Sequence, residues 1–140
     1  MNYRTLLHTA FDRRTGLIAR LPNDGCYRLF HGDREQAPGL TVDYYAGYLL
    51  IQYFTGRFYH DASAITDALL ELYSNRYPVH AVLLKNRLPV SDTSSVGKER
   101  QSVLLHGGPV PETVYVVHNG IRLAADLVSA QNTGVFMDMR

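Results

Sequence analysis

The chain has 140 residues, of which 46% are hydrophobic and 19% are charged, and its formal net charge is +1 at pH 7. This length and composition fit one globular domain with a substantial core, and they exclude a disordered segment or a disulfide-stabilised scaffold. The single cysteine, Cys26, has no partner in the chain, and we recognise neither a secretory leader nor an apolar run of about 18 residues. We therefore expect a cytoplasmic protein without a membrane-spanning segment.

The charge is distributed unevenly along the chain. Residues 1–28 carry five arginines and two aspartates, a net charge of +3, whereas the remainder has a net charge of −2. A basic segment of this kind can meet RNA phosphates, and it can equally be the solvated face of a helix. The arginines that we consider as nucleic-acid contacts are Arg13, Arg14, Arg20 and Arg28.

The first elements along the chain are a helix, a turn and a short strand. Apolar positions over residues 3–20 follow one helical stripe, which Gly16 weakens. The Leu-Pro-Asn-Asp-Gly segment at residues 21–25 favours a turn, because each of its last four residue types suits turn backbone. Residues 27–31 then predict a strand.

A hairpin and a helix follow. Apolar and polar residues alternate over residues 40–45, and a second run covers residues 48–54, with Ala46-Gly47 between them, which indicates a β-hairpin. Residues 61–75 carry one apolar stripe typical of a helix that packs on a core, and Asp61 is its predicted N-cap.

The second half of the chain is predicted to be rich in strands. Asn119-Gly120 is the strongest hairpin signal in the sequence, and residues 85–100 have the composition of an exposed loop. The predicted strands cover residues 80–84, 102–106, 113–118 and 121–127. Together these elements predict an α+β fold with a mixed, mostly antiparallel sheet and helices packed mainly on one face.

The sequence shows no complete catalytic or metal-binding set. Six histidines are scattered without ligand spacing, so we predict no metal site, and scattered histidines alone give little support to a metal-dependent hydrolase. Cys26 is a lone cysteine, more consistent with a structural thiol than with a nucleophile. Val96-Gly97-Lys98 is not a phosphate-binding loop, because Asp92 stands where that motif needs glycine. We predict no catalytic residue.

Aromatic residues crowd the first hairpin and the turn after it: Tyr44, Tyr45, Tyr48, Tyr53, Phe54, Phe58 and Tyr59. Such rings can stack on RNA bases beside cationic side chains. They can also form the core and the edges of the sheet, which is the interpretation we favour for each ring taken singly.

The last ten residues, Gln131–Arg140, have the pattern of a helix start. Thr133 is a plausible N-cap and Gly134 permits a tight entry, yet the sequence stops before a second apolar turn. The segment is either a frayed terminus or the beginning of a second domain, and we expect the second.

Two blocks of the sequence resemble a known family. Tyr27–Asp33 and Ala37–Tyr45 form the first block, and Asn119-Gly120-Ile121, Asp126 and Gln131–Arg140 form the second. In order and spacing they are similar to class I S-adenosylmethionine-dependent rRNA methyltransferases, and within these to the large-subunit rRNA cytosine-C5 methyltransferases. Four residues depart from the family pattern, which indicates a divergent branch: Ala37, Tyr44, His118 and Asn132.

The resemblance implies a domain organisation and a cofactor. Residues 1–127 would be an accessory domain that positions RNA, and residues 128–140 would be the junction and first helix of a Rossmann-like methyltransferase domain. S-adenosylmethionine would be bound mainly by that downstream domain. By position in the resemblance, the residues that would contact or support the cofactor are Gln131, Thr133, Phe136 and Arg140.

The function that the resemblance implies is methylation of RNA, most consistently of rRNA at cytosine C5. The parent protein would be the enzyme, its partners would be RNA and the downstream domain, and the 140-residue chain alone would be inactive. The alternative is a self-contained, non-enzymatic binding or dimerisation module. The sequence leaves the oligomeric state open.

Overall fold

Within residues 1–88 and 102–129, which the computed structural model describes, five strands form one mixed sheet and two form a separate hairpin. The helices are α1 (Tyr3–Arg13), α2 (Thr15–Ile18), α3 (Arg57–His60) and α4 (Ala62–Tyr73). The strands are β1 (Cys26–His31), β2 (Leu40–Tyr45), β3 (Tyr48–Tyr53), β4 (Ala81–Asn86), β5 (Val103–Gly107), β6 (Val114–His118) and β7 (Ile121–Ala125).

The large sheet has the order β1-β2-β3-β4-β5. Its neighbours are antiparallel except β3 and β4, which are parallel because α3 and α4 cross between them. The predicted α+β fold with a mixed, mostly antiparallel sheet is confirmed.

Helices cover one face of this sheet, and the hairpin β6–β7 packs against the other. The helix-side core joins Phe11, Leu69 and Tyr73 to the alternate apolar residues of β2 and β3. The second core, on the opposite face, contains Tyr45, Leu50 and Leu83 together with Val114, Val116, Ala125 and Leu127 of the hairpin and the segment after it. The placement of helices mainly on one face agrees with the prediction. The sequence analysis predicted the hairpin but not that it covers the other face of the sheet.

The predicted helix over residues 3–20 is interrupted at Arg14. The backbone of Arg14 lies outside the helical region, at φ −111° and ψ 11°, and a second short helix begins at Thr15. After this break Ile18 is buried, and its carbonyl oxygen accepts a hydrogen bond from the hydroxyl group of Tyr77. Ile18, after the break, thus belongs to the helix-side core.

Asp61 precedes α4, as predicted, but its side chain does not cap the helix. Its carboxylate accepts a hydrogen bond from the hydroxyl group of Tyr3 in α1 instead. Burial and this hydrogen bond raise the pKa of Tyr3 to about 12. The capping prediction was wrong because the Asp61 carboxylate binds Tyr3, which lies 58 residues away in the sequence and is not part of the local capping pattern.

Both predicted hairpins are confirmed, and their turns have the backbone that the sequence indicated. Ala46 and Gly47 have φ values of 47° and 96°, and Asn119 and Gly120 have values of 51° and 78°. Two successive positive φ values match the twist of the flanking strands.

The predicted loop over residues 85–100 begins later than expected, because β4 extends to Asn86. Residues 89–101, with Asp92 and Val96-Gly97-Lys98, lie outside the described residues. Among the helices of the described part, none is long and apolar enough to cross a membrane.

Gly32 forms the tight turn after β1. Its N–H group donates to the Leu40 carbonyl oxygen at 2.7 Å, and its own carbonyl oxygen accepts from the N–H groups of Glu35 and Ala37. A Cβ atom at this position would lie 1.9 Å from the Ala37 carbonyl oxygen and 2.5 Å from that of Leu40. Both obstacles are backbone atoms, so only glycine fits.

Substitution Gly32→Ala is therefore expected to lower the free energy of unfolding by at least about 2 kcal/mol, since the turn must deform to admit the methyl group. Gly16→Ala is the matched control, because no atom lies within 4 Å of the place that its methyl group would occupy. The control should leave stability unchanged or slightly higher. Urea unfolding measures both variants, and equal stabilities would contradict the steric argument.

Candidate nucleic-acid interface

The four arginines predicted to contact nucleic acid fall into two classes. Arg14, at the break between α1 and α2, donates to both carboxylate oxygens of Glu35, at 2.9 and 2.6 Å, and to the carbonyl oxygen of Ala10 at 3.0 Å. Its side chain is only 11% exposed. Arg14 is thus a buried link between the helices and the turn after β1.

Glu35 is the buried partner in this link. Its Oε1 atom also accepts a hydrogen bond from the backbone N–H group of His31 at 2.9 Å. Burial would raise the pKa of Glu35, but the hydrogen bonds from Arg14 and His31 and the charges of Arg14 and Arg13 together hold it below its usual value. The carboxylate is accordingly stabilised in its charged form.

Arg28 forms a second ion pair, across the strands β1 and β2. Its Nε atom lies 2.7 Å from Oδ1 of Asp43, and its Nη2 atom lies 3.2 Å from Oδ2. Asp43 is 1% exposed and also accepts a hydrogen bond from the amide of Gln52 at 3.3 Å. Burial raises the pKa of Asp43, an effect that Arg28 and Gln52 counter. Arg28 therefore compensates a buried charge.

Arg13 and Arg20 are exposed. Arg13 lies 3.9 Å from Glu35, too far for a hydrogen bond, and Arg20 donates only to the carbonyl oxygen of Gly16 at 3.0 Å. Arg34, on the turn after β1, is also exposed. Sequence reasoning missed Arg34, because it lies outside the basic segment 1–28 and its proximity to Arg13 depends on the fold.

A polar row crosses the sheet on the face opposite the helices. In register, His31 pairs with Thr41, Thr41 with Gln52, and Gln52 with Lys85. Lys85 is fully buried, its Nζ atom donates to the carbonyl oxygen of Ser129 at 3.0 Å, and burial lowers its pKa. Thr41 and Lys85 of this row are buried, and His31 and Gln52 are partly buried.

Two atoms of this row are buried without a hydrogen-bond partner, namely His31 Nδ1 and Thr41 Oγ1. They belong to cross-strand neighbours at the end of the β1–β2 ladder. Polar groups of this kind cost stability unless they are satisfied.

Cys26 has the properties of a structural thiol. It is buried, its Sγ atom lies 3.9 Å from Nδ1 of His118, and burial together with the charge of Asp43 raises its pKa. A protonated thiol is a poor nucleophile. Among residues 1–88 and 102–129, no group of three histidine, cysteine or acidic side chains is placed to hold a metal ion.

Most of the aromatic side chains around the first hairpin belong to the cores, which confirms the interpretation favoured for them. Four are buried: Tyr44, Tyr45, Tyr53 and Phe58. Phe54 and Tyr59 are 44% and 58% exposed, and the guanidinium of Arg87 lies 6.0 Å from the Phe54 ring centre. Only these last two rings present large apolar surfaces to solvent in this region.

Known proteins resemble this chain along its whole length. It is 31% identical over 140 residues to ribosomal RNA large subunit methyltransferase I of Aliivibrio fischeri, and 28% identical over 141 residues to the protein of that name from Vibrio campbellii. These matches cover 100% and 99% of the chain but 32% of each relative. The chain thus spans about a third of the length of the curated relatives it matches. No protein-family model matches it.

Solved structures share the fold. A Streptococcus mutans protein assigned as a SAM-dependent methyltransferase superimposes with a TM-score of 0.78 at 26% identity, over 97% of this chain and 32% of its own. An assigned methyltransferase in complex with SAH gives a TM-score of 0.78 at 25% identity, over 97% of this chain and 33% of its own. The α+β arrangement therefore recurs as one third of larger methyltransferase-like proteins.

The residues that the resemblance links to the cofactor lie outside the described residues, namely Gln131, Thr133, Phe136 and Arg140. The preceding segment is described up to Ser129. There the Asp126 carboxylate accepts hydrogen bonds from the N–H groups of Val128 and Ser129, which fixes a turn after β7.

Replacement Glu35→Gln should lower the free energy of unfolding by about 3 kcal/mol at pH 7, because it leaves Arg14 buried beside a neutral group. Since the pKa of Glu35 is lowered in the folded protein, its contribution is present above the unfolded value of about 4.3 and is lost as the pH falls through the folded value. The difference between wild type and variant should therefore shrink below about pH 4.3.

Glu71→Gln is the control, since Glu71 pairs with Arg4 at the surface, where both side chains are more than half exposed. It should change stability by less than about 1 kcal/mol. Chemical unfolding across a pH series makes the comparison, and a pH-independent loss in Glu35→Gln would contradict the assignment.

Proposed function

We propose that this chain is the RNA-positioning part of a SAM-dependent methyltransferase that acts on large-subunit rRNA. The observation that carries the proposal is the match of the entire chain to about a third of ribosomal RNA large subunit methyltransferase I of Aliivibrio fischeri. Residues 1–127 form the accessory domain, and residues 128–140 form the junction and first helix of a Rossmann-like catalytic domain. The target base is cytosine, methylated at C5.

The cofactor belongs, in this proposal, mainly to the part of the relatives that the chain does not cover. In this proposal Gln131, Thr133, Phe136 and Arg140 contact or support S-adenosylmethionine, as their positions in the resemblance imply. The described residues support this assignment of the cofactor to another region, because their buried polar groups stabilise the fold. Arg14, Arg28 and Asp43 are held in ion pairs, and Cys26 is a buried thiol.

The test is methyl transfer from labelled S-adenosylmethionine to undermethylated large-subunit rRNA. The protein with its complete catalytic region should transfer label, and nucleoside analysis of the product should show 5-methylcytidine. Label in another nucleoside would contradict the cytosine-C5 assignment, and no label in rRNA would contradict the function.

The 140-residue chain alone should neither transfer label nor bind S-adenosylmethionine tightly in calorimetry. Circular dichroism and cooperative unfolding would first establish that the chain is folded. Tight cofactor binding by the chain alone would contradict the proposed assignment of the cofactor to another region.

One observation favours the alternative, a dimerisation module. The edge strand of the described sheet, β5, exposes Val103 and Leu104, which are 56% and 47% exposed. An exposed apolar edge can pair with a second chain. Light scattering distinguishes the two: a dimer dispersed by Leu104→Lys, together with no methyl transfer by the longer protein, would favour the module.

A further inference from the structure

A pocket of about 260 Å³ lies between the end of α1, the start of α2 and the turn after β1. Three arginines belong to its lining, namely Arg13, Arg14 and Arg34. The other residues of the lining are Leu17, Tyr27, His31 and Glu35. Two stretches of the chain, residues 13–17 and residues 27–35, thus build one concave site with charged and apolar residues in its lining.

The charges in the pocket do not cancel. Glu35 is the acidic residue of the lining, and both of its oxygens are engaged by Arg14, while the backbone of His31 donates to one of them as well. The other two charged side chains of the lining are those of Arg13 and Arg34. Arg13 is 57% exposed at its side chain, and Arg34 has no ion pair within residues 1–88 and 102–129. Arg13 and Arg14 share the single carboxylate of Glu35, so the three arginines give the lining a net charge of about +2.

The nearby helix end opposes this field only in part. The C-terminus of α1 presents the equivalent of about half a negative charge. One of its last carbonyl groups, that of Ala10, accepts from the Arg14 guanidinium, and that of Phe11 accepts from the Arg14 N–H group. Two guanidinium groups outweigh the remaining dipole, so the pocket favours an anion.

The anion that fits the arginines is a phosphate group, because guanidinium forks match its oxygens and retain their charge at any physiological pH. The apolar residues of the lining add a second preference. Leu17 is 40% exposed, and Tyr27 is half-buried with its ring packed on the core. A ring held in this way is a platform for a base. The volume of about 260 Å³ lies just below the range of about 300–1,000 Å³ for small-molecule pockets, so the pocket has room for no more than one nucleotide.

We propose that this pocket binds one nucleotide of single-stranded RNA, with its phosphate between Arg13 and Arg34 and its base against Tyr27. That the nucleotide belongs to RNA rests on the proposed function. Arg14 and Glu35 are positioning residues: their ion pair fixes α1 against the turn and thereby sets the distance between the two binding arginines. The turn itself is held by Gly32, and the N–H group of Arg34 donates to the His31 carbonyl oxygen at 3.1 Å.

The first experiment measures binding of a labelled, unstructured RNA of about 12 nucleotides to the full-length protein by fluorescence anisotropy, at salt concentrations from about 50 to 200 mM. The double variant Arg13→Ala/Arg34→Ala should bind about tenfold more weakly at low salt, and its salt slope should fall by about 0.7, the value for one phosphate of a single strand. The control, Arg4→Ala/Arg57→Ala, removes the same charge from exposed residues outside the pocket and should change neither quantity as much.

The second experiment addresses the base. Tyr27→Leu should weaken binding about fivefold or more without changing the salt slope, and Tyr27→Phe, which retains the ring, should bind like the wild type. Cytidine monophosphate should displace the RNA at lower concentration than inorganic phosphate. Equal displacement by the two, or equal binding by the leucine and phenylalanine variants, would overturn the base contact.

The results separate this proposal from the function on which it rests. If the wild type binds RNA and methylates rRNA, but the pocket variant behaves like its control, the pocket is not the binding site and the function stands. If the wild type neither binds RNA nor methylates rRNA, the function fails and the RNA assignment of the pocket fails with it. The thermal unfolding midpoint of each variant is compared with that of the wild type, which shows that a loss of binding does not come from a loss of folding.

Discussion

The ion pair between Arg14 and Glu35 is the contact on which the arrangement of helices and sheet depends. A buried carboxylate requires a cationic partner and further hydrogen bonds, and Glu35 obtains them from Arg14 and from the backbone of His31. These contacts join the break between α1 and α2 to the end of β1 and the turn after it. Arg13 and Arg34 flank the same joint. The interaction that closes this edge of the core therefore also holds the two exposed arginines at one pocket.

The second face of the sheet is divided between an apolar and a polar half. The hairpin β6–β7 covers Leu50 and Leu83, where burial needs only apolar contact. Beside it lies the row that ends in Lys85, whose charge is directed to the backbone of Ser129 in the segment leaving β7. Buried polar groups fix a particular arrangement more strictly than apolar ones, because each needs a partner in a defined direction. The polar half thus ties the path of the chain after β7 to the sheet.

Local features were predictable from the sequence, and features that depend on distant partners were not. The two hairpins follow from turn residues, and α4 follows from its apolar stripe, so each could be placed without knowledge of the rest. Alternation along β2 shows only that its faces differ; it does not show that a hairpin packs on the second face or that Asp43 is buried there. In the same way, Arg13 and Arg14 are adjacent in sequence but differ in the folded protein. Arg14 donates hydrogen bonds to Glu35, which lies 21 residues further on, whereas Arg13 lies 3.9 Å from Glu35 and stays exposed.

The distribution of charge also bears on how such a domain would act on RNA. A net charge of +1 cannot attract RNA from a distance, and two buried ion pairs remove Arg14 and Arg28 from the surface field. Among the exposed arginines of the described residues, Arg13 and Arg34 line one pocket together with Tyr27. A site that neutralises about one phosphate contributes little salt-dependent affinity, but it fixes the register of the strand that it holds. Under the proposed function, such a site would help to position the substrate, and the two thirds of the relatives that this chain does not cover would contribute further affinity for rRNA.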